Sequence, residues 1–193
     1  RLIAVDPDAA TIDETLVLDG VHGCSGLALS PDGSEVALAC TGEWGGDGVP
    51  DLAGSALVRV RTAPPLVELG RTPAAALGER PVGMSVSYAS PTRLVFTTLG
   101  RFGDAVAPAL DDALVELDLD DGTHRTLLRS TDDPFTLGDV SCDARCGVCL
   151  VADAGRDGGV LQRLVVGGSG LEGPTALSLA DGIGLPPRHV ATF

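Results

Sequence analysis

Cysteine is the residue type in this 193-residue chain with the most pointed spacing: Cys142-x-x-x-Cys146-x-x-Cys149, with Cys24 and Cys40 far upstream. Three thiolates so placed can ligate an iron–sulfur cluster. Only 44 residues follow Cys149, however, and none has the 3.6-residue period of the helices that house such clusters. Leu150, not histidine, follows Cys146-Gly-Val-Cys149, which excludes covalent haem attachment. A zinc site would need a fourth ligand from Cys24 or Cys40. Disulfides are the simpler reading. Ser30 and Glu35 straddle a turn, and folding the chain back there brings Cys24 beside Cys40 at the open end. Cys142 and Cys146 flank a later turn and are expected to close a second, short bridge. Cys149 is then a small buried hydrophobe or the partner of a thiol elsewhere. Such bridges place the chain in an extracytoplasmic setting, whether periplasmic, secreted or as a surface lipoprotein.

Three glycine-bounded stretches resemble one another: Gly42-Glu-Trp-Gly45, Gly100-Arg-Phe-Gly103 and Gly155-Arg-Asp-Gly158. Glycine permits tight turns, and the central residues are free to meet a partner. Trp44 and Phe102 belong to a very small aromatic set, and aromatic anchors in loops mark recognition surfaces. Arg101 and Arg156 add cations beside them, and His22, Arg80 and His189 fall in neighbouring loops. The expected surface is therefore Trp44, Arg101, Phe102 and Arg156, with His22 and His189 nearer its centre. Asp47, Asp51, Asp104, Asp153 and Asp157 supply hard oxygen donors that would suit Ca²⁺, although no EF-hand spacing joins them. No other cofactor is expected. The chain has no Gly-x-Ser-x-Gly elbow, no His-Glu-x-x-His and no phosphate-binding loop.

The elements that must carry these residues are strands. Around Ser30-Pro31-Asp32-Gly33, Leu27 and Leu29 on one side and Val36 and Leu38 on the other alternate with small residues, the period of a β-hairpin. Further strand-like runs are Leu2–Asp6, Thr15–Leu18, Ala56–Val60, Leu66–Leu69, Gly83–Ser87 and Arg93–Thr97. They continue with Ala113–Asp118, His124–Leu128, Asp139–Cys142, Val148–Val151, Val160–Val165 and Thr175–Leu179. No convincing helix is found. If four strands a to d make a unit, strand a recurs at Gly26, Gly83, Asp139 and His189, 50–57 residues apart, and strand c at Ile3, Leu57, Leu114 and Leu161. That even spacing is the mark of β-propeller blades rather than of an ordinary sandwich. The expected fold is all-β, with β-propeller blades of four antiparallel strands in an incomplete ring. The units are about 1–20 (partial), 21–77, 78–132, 133–182 and 183–193, in a single propeller segment. Some three and a half blades are fewer than a ring needs, so the remaining blades of the same chain are expected as its structural partners.

A net charge of −14 argues against a nucleic-acid partner, whose phosphates would be repelled. No apolar run approaches the ~20 residues that a membrane-spanning helix needs.

Gly26-Leu-Ala-Leu-Ser-Pro-Asp-Gly-Ser-Glu-Val-Ala-Leu-Ala39 resembles the Gly-x-Ala-x-Ser-Pro-Asp-Gly hairpin of YVTN-type, lactonase-like propellers. Leu2-Ile-Ala-Val-Asp-Pro-Asp-Ala-Ala-Thr11, followed by Leu16-Val-Leu-Asp-Gly20, is similar to that family's c–d hairpin. The aromatic usual in strand b is replaced by Ala37-Leu38, and the second and third hairpins lack Pro-Asp-Gly. The resemblance implies a scaffold that binds a protein or glycan partner through its b–c and d–a loops. It also implies an alternative, a lactonase- or sugar-dehydrogenase-like enzyme with its site in the channel of the complete ring.

Overall fold

Ser30, Asp32 and Gly33 turn the chain between the first two strands of the most regular unit. The Asp32 carboxylate accepts from Ser34 N–H (3.0 Å) and from the hydroxyls of Ser34 (2.8 Å) and Ser30 (2.7 Å). The Ser30 hydroxyl in turn accepts from Glu35 N–H. Gly33 takes φ +75°, a conformation that other residues adopt only under strain. In this computed structural model, residues 1–45, 51–103, 108–130, 134–155, 159–178 and 187–192 are described.

The strands are β1 (Leu2–Asp6), β2 (Thr11–Leu16), β3 (Cys24–Leu29), β4 (Glu35–Thr41), β5 (Ser55–Arg61), β6 (Val67–Pro73) and β7 (Val82–Ser90). Then come β8 (Arg93–Thr98), β9 (Ala113–Asp118), β10 (His124–Arg129), β11 (Leu137–Asp143), β12 (Val148–Asp153), β13 (Val160–Gly167) and β14 (Gly170–Ser178). They form three four-stranded antiparallel sheets, β3–β6, β7–β10 and β11–β14, each ordered as in sequence, and a two-stranded sheet β1–β2. These are propeller blades in an incomplete ring. Residues 187–192 run beside β11, with Asp139 N–H donating to Arg188 C=O at 3.0 Å and Thr192 N–H to the Ser141 hydroxyl at 3.0 Å.

Alternation along each strand sends side chains to two faces, and in the first two full blades both faces are covered. In β4, Val36, Leu38 and Cys40 pack toward β1–β2, while Ala37 and Ala39 join Val86, Leu94 and Phe96 of the next blade. In the second blade, Val95 and Leu114 turn the other way, onto Val140, Val151 and Leu164 of the third. The core therefore lies between sheets. At the inner edge, where the blades converge, close approach is enforced by glycine. A Cβ on Gly26 would come within 2.4 Å of the Met84 carbonyl oxygen, and one on Gly138 within 2.4 Å of that of Arg188.

Three expectations need correction. Cys142 pairs with Cys149, not Cys146. The turn occupies 144–147, because Asp143 accepts from the N–H groups of Arg145 and Cys146 and Gly147 takes φ +63°. Cys149 is thereby set directly opposite Cys142 and Cys146 is left in the turn, exposed and reduced. A hydrogen bond to Asp143 and its negative charge push the Cys146 thiol up from its ordinary value. Cys24 and Cys40 pair as the hairpin register requires, across a bulge at Ser25. Secondly, two single 3₁₀ turns occur among the described residues, η1 (Leu52–Gly54) and η2 (Ala74–Leu77), too short to leave any amphipathic period. Thirdly, β2 starts at Thr11 rather than Thr15, because Asp6 caps a tight turn by accepting from the N–H groups of Asp8 and Ala9.

Chain-entropy arguments make the 16-residue Cys24–Cys40 loop worth about 3 kcal/mol and the 7-residue Cys142–Cys149 loop about 2 kcal/mol. Replacing each pair by serine should lower denaturant stability in that order. The Asp32 carboxyl is held at about 2, chiefly by the Ser34 N–H and the Ser30 and Ser34 hydroxyls. A depressed carboxyl contributes stability that is complete above about pH 4 and is lost as pH falls toward 2. An NMR titration of Asp32 should place its midpoint near 2, and a midpoint near 4 would remove the hydrogen bonds assigned to this turn.

Candidate functional site

Antiparallel order puts every second connection at the same end of its sheet, so the β4–β5, β8–β9 and β10–β11 connections emerge together. There the rings of Trp44 and Phe102, from different blades, both meet Phe135. The centroid distances are 6.0 and 5.9 Å, and the planes are tilted by 54° and 50°. Such tilted contacts suit aromatic quadrupoles. Trp44 keeps 38% and Phe102 64% of their surface exposed, so the group is a patch and not a core. The backbone of Phe135 takes φ +66°, an uncommon conformation for a bulky residue.

A buried carboxylate holds the patch in place. Asp112, 1% exposed, accepts from Gly100 N–H at 2.7 Å, Thr136 N–H at 2.6 Å and Leu137 N–H at 3.1 Å. These bonds tie the root of the Phe102 loop to the segment bearing Phe135. Ser130 completes the joint by donating its N–H to Asp112 C=O and accepting from Asp112 N–H. One blade earlier, Ser55 has the corresponding role, its hydroxyl accepting from Val82 N–H at 2.9 Å. The Trp44 loop is rooted by the Cys24–Cys40 bridge and by Gly42 N–H donating to His22 C=O.

Beside the rings lies a hollow of about 260 Å³ lined by Phe135, Leu99, Met84, Asp139, Arg188 and His189, among others. His189 Nδ1 is 2.7 Å from Asp139 Oδ2, while Arg188 donates to Phe135 C=O at 2.6 Å.

Of the residues expected from sequence, Trp44 and Phe102 converge, through Phe135. His189 borders the same hollow. His22 instead pairs with Glu43 at 3.3 Å, at the base of the Trp44 loop. The Arg101 backbone bridges to Leu110 and its Nε donates to Pro108 C=O at 3.3 Å, so the guanidinium braces its own loop. Arg80 is held by Asp111. Burial opposes ionisation of Asp111, but the hydrogen bonds and charge of Arg80, with help from Arg129, keep its carboxyl below the usual value. Arg156, with Asp47, Asp104 and Asp157, lies outside the described residues. Asp51 caps η1 by accepting from Ala53 N–H, and Asp153 accepts from the Gln162 amide. No group of three or more potential metal ligands gathers among the described residues. With four cysteines bridged, a zinc or iron–sulfur thiolate set is also gone. Phe135, Asp112 and Asp139 were not legible as site residues. Phe135 follows Pro134 in an aperiodic stretch, and scarcity of aromatics was the one clue to it.

No family model matches the sequence, and no curated protein sequence matches it. Among solved structures, the chain is similar to the periplasmic gluconolactonase PpgL of Pseudomonas aeruginosa, with a TM-score of 0.60 and 15% identity over 97% of this chain. The fold is a β-propeller's. This chain spans about half of that protein, 52% of its length. A looser likeness, with a TM-score of 0.39 and 12% identity, covers 99% of this chain and 77% of a chain in the nidogen/laminin complex. The likeness to PpgL concerns architecture and leaves the chemistry to the residues themselves.

Asp112→Ala should cost about 3 kcal/mol, since three N–H groups, two of them in buried bonds, lose their acceptor. Asp112→Ser should cost less, because a hydroxyl can keep the bond to Leu137 as Ser55 does to Val82. Thermal or denaturant unfolding of the two variants checks the order.

Proposed function

We propose that residues 1–193 are a segment of a non-catalytic, extracytoplasmic β-propeller of YVTN-like type that binds a protein or glycan partner through one loop face. One observation carries this reading: three aromatic rings from three connections meet on that face, two of them substantially exposed, above a buried carboxylate that fixes two of their loops. Exposed rings held in fixed positions by a buried side chain suit a recognition surface. The two disulfides support an oxidising compartment.

A second reading is favoured by one contact. Asp139 orients His189, whose other ring nitrogen is left to act on a ligand in the hollow, as a channel-lining enzyme site of the lactonase or sugar-dehydrogenase sort would need.

The test uses the full-length protein. Glycan arrays and secreted-protein fractions are probed with wild type and with the Trp44→Ala/Phe102→Ala double variant, alongside a lactone-hydrolysis screen of both. A partner retained by wild type and lost at least tenfold by the equally stable double variant supports the binding module. Equal retention by both overturns it, and turnover that His189→Ala abolishes replaces it with the enzyme.

A further inference from the structure

The binding reading leaves the partner's chemistry open, and the loop face itself constrains it. The connections at this end hold more acidic than basic residues in sequence. β4–β5 carries Glu43, Asp47 and Asp51 with no arginine, and β10–β11 carries Asp132 and Asp133, also with none. β8–β9 sets Asp104, Asp111 and Asp112 against Arg101 alone. The connections at the opposite end hold only Asp8, Asp32, Asp120 and Asp121, with Arg145. With β6–β7 (Glu79, Arg80) and β12–β13 (Arg156, Asp157) neutral, the connections at the ring end still carry a larger acidic excess in sequence than those at the opposite end.

The arginines of this face that are described are already engaged. Arg101 donates to Pro108 C=O, Arg80 to Asp111 and Arg188 to Phe135 C=O. Glu43, next to Trp44, and Asp139, beside Phe135, each pair through one carboxylate oxygen with a histidine, His22 at 3.3 Å and His189 at 2.7 Å, and keep side chains 69% and 39% exposed. The surface thus presents aromatic faces and carboxylate acceptors, and its own strong donors are occupied. An arginine side chain supplies what is missing, a planar cation that stacks on an aromatic face while its N–H groups reach carboxylates.

We infer that the partner is a basic protein segment, and that it docks by laying arginine side chains over Trp44, Phe135 and Phe102 with Glu43 and Asp139 as flanking acceptors. This rests on the binding reading above. Neutral glycans fit less well, because they would leave the excess carboxylate charge uncompensated, and nucleic acid is repelled outright. Electrostatic attraction would speed encounter, and the rings would supply the discrimination of arginine over lysine.

Fluorescence anisotropy of a labelled (Arg-Gly)₆ peptide with the full-length protein tests this, using (Lys-Gly)₆, (Glu-Gly)₆ and chitohexaose as competitors. Expected is binding of the arginine peptide that weakens as salt rises, is displaced poorly by the lysine peptide and not at all by the other two. It should weaken about five-fold in Phe102→Leu, which keeps apolar bulk and removes the ring, and in Trp44→Ala. Thermal melting of each variant guards against unfolding. Binding unchanged in both variants would show charge attraction alone and overturn the inference, as would no binding at 1 mM peptide. Ring-dependent binding of chitohexaose would overturn the cationic partner while leaving the recognition surface standing. If neither peptide nor sugar depends on the rings, the surface falls as well.

Discussion

The first two full blades of this protein bury both faces, and that requirement organises the chain. A sheet apolar on one side can end against solvent, but β4 and β8 are covered on both, with Ala37 and Ala39 opposed to Val36 and Leu38, and Val95 opposed to Leu94 and Phe96. Here successive sheets of this kind stack so that each sheet is the floor of the next. β1–β2 shows the same rule by its exception. Leu2 and Ala4 pack on the first full blade, while Ile3, Val5 and Ile12 remain 48–64% exposed on the other side.

Apolar burial fixes the stacking but not the height at which one blade sits against the next. Polar bonds do that. Ser85 and Ser87 hydroxyls accept from Val140 and Cys142 N–H along the inner edge, Ser55 and Asp112 act at the loop end, and Glu116 accepts from Leu171 N–H farther out. Arg125 adds a donor to Leu171 C=O beside Glu116. Backbone groups at the sheet edges would otherwise be buried without partners, so these bonds register the blades as well as stabilise them. The aromatic patch inherits its geometry from this registration, since its rings belong to different blades.

The fold was legible because its signal repeats. The hairpin around Asp32, the bounds of β1 and β9 and the spacing of the strands all follow from period-two alternation broken by Pro, Asp and Gly. Errors fell where one local rule hid another. Gly173-Pro174 reads as a break, so β14 was expected only from Thr175. Yet β14 runs through it as the outermost strand, with Gly173 and Pro174 set in a bulge opposite Leu164, where the missing N–H forfeits no ladder bond. The Cys142 pairing failed because it turns on the length of one turn, which the side chain of Asp143 decides and hydropathy does not. The aromatic cluster was half legible. Trp44 and Phe102 were marked by rarity and by glycine-bounded loops, whereas Phe135 and Asp112 gain meaning only from neighbours on other blades, and a linear pattern carries no trace of those.

The two glycines at the inner edge have a geometric effect beyond local fit. Where Gly26 nears Met84 and Gly138 nears Arg188, the absent side chains let adjoining sheets pinch together at the axis while the bulky residues farther out hold them apart. The resulting wedge angle sets how many such units go into a full turn, so two hydrogen atoms in place of two methyl groups help to decide the curvature of the whole assembly.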